Sequence, residues 1–296
     1  MRTRTVVAVL VLSVSALPVL ADTITVVRTF SVPGSTYTFP QGINSRGDMV
    51  MHAIVGGQTQ IRDWTYLNRT FAPLPPGQGA QGINERQQMA GSNTQYGTSQ
   101  GSILDGRRVT LFHPEDAVWT IATGINNPGE VAGGYGTGAP GTPVRGTTGH
   151  GYVLADWTFT ILDFPGAMGT AAHSLNDRGE VVGYYSFDTA VPHIVDTTKT
   201  VHGFVYSGGE WEEIDYPGAK TTYALGINNR GDVVGFYIEE SGQRGSFVRT
   251  ARGYFPIVFP GGSNAYGIND LGQIVGRFWE AGVSKGFIAV IRPNGN

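Results

Sequence analysis

The side chains able to do chemistry are 23 carboxylates and six histidines, with no cysteine at all. Without cysteine there is no thiol nucleophile, no disulfide and no thiolate-held metal. His150 and His202 each precede a Gly-aromatic pair at equivalent points of a repeat, which marks both as scaffold. His52 falls in an apolar strand and reads as packed. His113 leads Pro114-Glu115-Asp116. A carboxylate pair beside an imidazole can serve acid–base chemistry, yet Pro, Glu and Asp together are also the usual make-up of a solvated turn. His193 sits in a long insertion. His173 occupies an inner strand where the sister repeats carry Gln41, Gln81, Thr123, Leu225 and Tyr266, so it is the histidine best placed to meet a ligand.

Motifs with a defined mechanism are absent. The chain has no HExxH or His-x-x-x-His, so no zinc site is indicated, and no DxDxDG calcium loop. It also lacks a phosphate loop, a Gly-x-Ser-x-Gly elbow and the Ser-x-Asp-x-Gly-x-x-Trp box of sialidases. The inner strands carry no carboxylate, which leaves a glycosidase pair there unsupported. No cofactor is indicated. A net charge of −3 gives no reason to expect nucleic acid as a partner.

What must position these residues is an internal repeat. Gly-Ile-Asn-x-x-Gly returns at Gly42, Gly82, Gly124, Ser174, Gly226 and Gly267, with variations. The asparagine steps are 40, 42, 50, 52 and 41 residues. Asn tolerates the left-handed region and Gly accepts positive φ, so Asn-x-x-Gly makes a tight turn between two strands. A second strand follows, such as Val181-Val182-Gly183-Tyr184-Tyr185, then a third at Gly203-Phe204-Val205 and a fourth from Trp211 to Tyr216. Pro217-Gly218 breaks the chain before the next unit. Four short strands per repeat predict an all-β fold, a six-bladed β-propeller of four-stranded blades. Gly183 and its counterparts have no propensity reason to stand inside a strand; close approach of adjacent blades would supply one. Gln87 in place of the turn glycine and Met51 in place of the strand glycine predict less regular first and second blades.

The repeat resembles the bacterial "probable extracellular repeat, HAF family" proteins. The resemblance rests on the Gly-Ile-Asn-x-x-Gly-x-Val-Val-Gly copies, on His202-Gly203-Phe204 with its variant His150-Gly151-Tyr152, and on Asp163-Phe164-Pro165-Gly166-Ala167 with Asp215-Tyr216-Pro217-Gly218-Ala219. It covers nearly all of the chain after residue 21. It implies a secreted or surface-associated protein and attaches no defined activity to the repeat.

Arg2 and Arg4, the apolar run Val6 to Leu20 and the small residue Ala21 predict a signal peptide over residues 1–21. The mature chain, 22–296, is then one propeller domain, extracellular or periplasmic. No later stretch is apolar enough to span a membrane. The segment Ile24 to Phe30, followed by Pro33-Gly34, looks like a fourth strand, and the last repeat runs out after its third. It is expected to pair with Phe287 to Ile291 and close the last blade, removing an open seam.

Two readings of function follow. One is a binding or interaction module for a glycan, protein or surface polymer. The other is a secreted hydrolase or lyase whose site is built from loops at the channel mouth. The two long asparagine steps place insertions at 136–149 and 186–201, on the face opposite the Asn-x-x-Gly turns. The candidate ligand-binding residues are Arg145, His173, Asp188, His193, Tyr223 and Tyr266: basic, acidic and aromatic groups at one mouth, as suits a polar ligand such as a sugar.

Overall fold

The structure is a computed structural model describing residues 22–57, 60–94, 98–139, 146–190 and 198–292. All 24 regular elements given for these residues are β-strands. Unit three is typical: Ala117–Ile125, Val131–Thr137, Thr148–Ala155 and Thr158–Leu162 form one antiparallel sheet in sequence order. Unit four repeats it with Gly169–Leu175, Val181–Ser186, His202–Ser207 and Glu210–Glu213, and unit five with Thr221–Ile227, Val233–Ile238, Arg244–Thr250 and Gly253–Ile257. Unit two forms a four-stranded sheet as well, but its first strand is only Gly82–Ile83.

The remaining sheet has eight strands. Ser35–Ile43 starts unit one and meets Val283–Arg292, the third strand of unit six, at the single bridge Tyr37↔Ser284. The expected pairing of the N-terminal strand is present. Thr23–Phe30 runs antiparallel to Val283–Arg292, with Ile24 opposite Ile291 and Phe30 opposite Gly286.

Apolar side chains gather between consecutive units. Val182 and Ile214 of unit four pack with Ala224, Ile227 and Phe247 of unit five. Val275 of unit six packs with Ile43, Met49 and Met51 of unit one. Burying side chains of this size is worth ~1.5–3 kcal/mol each, so these seams are the main source of cohesion.

The turn asparagines link the units a second way. Asn176 Oδ1 accepts the backbone N–H groups of Arg178 (3.0 Å) and Glu180 (3.1 Å), which holds its own turn. Its Nδ2 donates to Glu180 and to the carbonyl of Asn228 in the next unit (3.0 Å). The same cross-unit bond runs from Asn44 to Asn84, Asn126, Asn176, Asn228, Asn269 and back to Asn44. Gln87, where the turn glycine is missing, still adopts φ 61°, and its amide donates to Asp48 of the neighbouring unit (2.8 Å). Unit one is regular despite Met51, whereas unit two, with Gln87 in its turn, has the short first strand expected of a less regular unit.

The strand glycine has a different cause from the one expected. A Cβ on Gly183 would overlap the carbonyl oxygen of Ala171 in its own sheet, with the Phe204 ring closing over the other side. The approach between units occurs instead at the glycine of Gly-Ile. A Cβ on Gly124 would lie 2.8 Å from Ser174 Cα of the next unit.

Candidate functional site

Each first strand runs toward its Asn-x-x-Gly turn, and in five units it carries a bulge just before Gly-Ile or its equivalent. The ladder skips Gln41, Thr123, His173, Leu225 and Tyr266. A bulge inserts one unpaired residue and re-aims its side chain. All five line the same central channel, with Gln81 of unit two in the sixth place. The set of residues aligned by the repeat is therefore a set of backbone irregularities that point inward.

Beyond this layer, away from the turns, the channel opens into a cavity of about 220 Å³. Trp119, Tyr223, Tyr266 and Phe39 enter from first strands, Tyr184 and Phe236 from second strands. The rings interlock: Tyr184 meets Tyr223 edge-on at 4.9 Å, Tyr223 stacks on Phe236 at 4.6 Å, and Phe39 meets Tyr266 at 4.4 Å. Polar groups come from Gln41, Gln81, Thr123, Thr170 and His173. No carboxylate lies among the described lining residues.

His173 is the one imidazole among the described residues of the wall. Its Nδ1 lies 2.7 Å from the Leu225 carbonyl, which can only accept, so Nδ1 carries the proton and Nε2 is an acceptor. Burial pushes its pKa down to about 4, against the upward pull of that hydrogen bond. The ring is therefore neutral at physiological pH. Burial also raises Tyr184 and Tyr266, so both phenols keep their protons.

Of the six candidate ligand residues, the fold brings His173, Tyr223 and Tyr266 to one cavity. Asp188 is elsewhere. Its carboxylate accepts from Ser186 Oγ (2.8 Å) and the Thr200 N–H (3.2 Å), tying together the two ends of its insertion. Arg145 and His193 lie outside the described residues. The insertions do meet the cavity through their bases: Trp119 Nε1 donates to Thr147 Oγ1 (2.9 Å), and Val201 packs with Tyr184, Tyr223 and Phe236 of the wall.

Trp119, Tyr184, Phe236 and Phe39 were not singled out by sequence. A signal existed for three of them. Tyr184 and Phe236 directly follow the strand glycine, and Phe39 lies two residues before the bulge, as Tyr223 does.

No protein-family model matches the chain, and no curated protein matches it. Solved structures do. The fucose-specific lectin from Aleuria aurantia superposes with a TM-score of 0.51 at 11% identity, over 91% of this chain and 99% of the lectin. An acylaminoacyl peptidase from Pyrococcus horikoshii superposes with a TM-score of 0.53 at 8% identity, over 86% of this chain and 45% of the peptidase. The fold is that of a β-propeller. At such identities the likeness concerns the fold alone, and what this propeller does has to be argued from its own channel.

Proposed function

We propose that this chain is an exported six-bladed propeller, its last blade completed by the N-terminal strand, that binds a sugar-like ligand at the open end of its channel. The blade count is supported by six repeats whose asparagines bond in a cycle, and the closure by the pairing of Thr23–Phe30 with the last strand. Export is supported by the sequence of residues 1–21. The repeat's likeness to the extracellular HAF-family repeats points the same way.

The binding reading rests on one observation: a small cavity walled by aromatic rings with amides, a hydroxyl and a neutral imidazole at its floor. Aromatic faces take up the apolar C–H face of a sugar ring, and amides and imidazole satisfy its hydroxyls without charge. About 220 Å³ is below the ~300 Å³ at which pockets begin to hold drug-sized ligands, so it suits a single ring or chain end. The lining offers neither a carboxylate pair nor a charged base among the described residues, which favours holding a ligand over hydrolysing it.

The test is a glycan array with the mature chain, followed by calorimetry on the best ligand. Tyr266→Ala and Tyr223→Ala should each weaken binding at least about tenfold, or ~1.4 kcal/mol. So should shortening either insertion to the length found in unit five. Normal binding by all of these variants would place the site elsewhere. N-terminal sequencing of the exported protein should begin at Asp22.

A further inference from the structure

A second cluster lies away from the channel, on the outer strands of unit four. A nitrogen of His202 and one oxygen each from Glu213 and Asp215 come within 4.8 Å of one another. His202 opens the third strand of its sheet, Glu213 ends the fourth, and Asp215 follows two residues later. The hairpin thus brings together donors 11 and 13 residues apart in sequence, a spacing no local metal motif describes.

Their surroundings orient them. His202 Nδ1 lies 2.6 Å from Asp215 Oδ2, while Asp215 Oδ1 accepts the Gly203 N–H (3.1 Å). Tyr185 OH donates to Glu213, and the His202 ring stacks on Tyr185 at 5.3 Å. Glu213 and Asp215 are thus each held by a group outside the trio, as metal-binding carboxylates usually are, and the His202 ring is kept in place by stacking.

Unit three provides an internal control. It repeats the pair, with His150 Nδ1 at 2.9 Å from Asp163 and the ring stacked on Tyr135 at 5.0 Å. The recurring His–Asp–Tyr arrangement is thus scaffold. What differs is the third donor. Glu213 stands opposite Phe204, and the matching position, opposite Tyr152, is Ile161. Unit four alone adds a carboxylate to the shared pair, on an exposed position where packing does not require it.

We propose that His202, Glu213 and Asp215 form a binding site for a divalent transition-metal ion of the zinc type. One imidazole and two carboxylates are ordinary zinc ligands, with water completing the shell, and the imidazole disfavours calcium and magnesium. Bonds of ~2.1 Å to a tetrahedral ion put donors ~3.4 Å apart, so the widest pair of the trio has to close by at most about 1.4 Å while the 2.6 Å His202–Asp215 pair opens by about 0.8 Å, movements within reach of side-chain rotation.

The experiment is calorimetric titration of the metal-free mature chain with zinc chloride, with calcium chloride as the comparison. One zinc ion per chain is expected, undisturbed by millimolar calcium. Glu213→Gln, which preserves shape and can still accept from Tyr185, should weaken zinc binding at least tenfold without changing the melting temperature of the metal-free protein. His202→Ala should weaken zinc binding at least as much, with a lower melting temperature as well because it also removes the scaffold contacts to Asp215 and Tyr185. Ile161→Glu, at a position 42% exposed, should add a second site by completing the unit-three trio. Absence of stoichiometric zinc binding, or full affinity in Glu213→Gln, would overturn the proposal.

Discussion

Replacing His173 with Gln, the residue at the equivalent point of the first two units, should make the protein less sensitive to acid. The folded imidazole has a pKa of about 4 because burial disfavours its charged form, and the Nδ1–H donated to Leu225 offsets only part of that. In the unfolded chain the value returns to ~6.5. Above pH ~6.5 neither state is protonated and His173 contributes no pH dependence. Between pH 6.5 and about 4 the unfolded chain takes up a proton that the folded chain refuses, so stability falls as pH falls. Below about 4 both states are protonated and the loss levels off. From pH 7.5 to pH 4.5 the cost is about 2.5 kcal/mol. Urea unfolding of wild type and His173→Gln at those two pH values provides the assay. The difference between the two pH-dependent losses isolates His173, because every other titrating group is common to both proteins. The wild type should lose about 2.5 kcal/mol more. Equal losses would refute the reasoning, and would mean that water in the channel solvates the imidazolium as well as bulk water does.

Three further outcomes follow from the fold. Gly183→Ala should cost more than about 3 kcal/mol in denaturant unfolding, because its Cβ meets a backbone carbonyl that cannot move alone, whereas Gly56→Ala, with open space around it but φ +68°, should cost only about 1 kcal/mol. Deleting residues 22–32 should lower stability by about 4 kcal/mol, from the lost burial of Val32 and the partly buried Ile24 and Phe30, and an unchanged melting temperature would count against the closure. His150→Gln should remove a stabilisation of opposite sign to that of His173. The hydrogen bond to Asp163 raises the His150 pKa above its ordinary value despite partial burial, so the stabilisation is complete below pH ~6.5 and fades as pH rises past the raised value. A melting-temperature difference between wild type and variant that shrinks with rising pH is the expected result.

The architecture was legible because repeats average out local ambiguity. One Asn-x-x-Gly could sit in any hairpin, but six turn asparagines in order, five of them followed by that glycine, fit few folds. The inner position of His173 was legible for the same reason. The two tyrosines after Gly183 were not separable. Tyr184 faces the channel, while Tyr185 lies on the opposite face of the sheet, buried and stacked on Phe164 at 3.6 Å, and the register of the strand's pleat rather than residue type decides between them. Asp188 was read as a ligand because it sits in a long loop, yet the loop itself uses the carboxylate. The His202–Glu213–Asp215 cluster was invisible because its members meet only when a hairpin folds, and because the repeated histidine looked like scaffold alone.

The N-terminal strand also has a consequence for biosynthesis. Thr23 pairs with Arg292, 269 residues later. A chain made from its N-terminus therefore carries this strand, with Val26 and Val27 exposed even in the finished fold, without its partner until those 269 residues have been added. A break after Glu280 would take away the third strand of the last sheet and leave the fourth with nothing to pair. Damage to Thr23–Phe30 or to Val283–Arg292 thus becomes damage to both, and the first strand finds its place only once the last has been made.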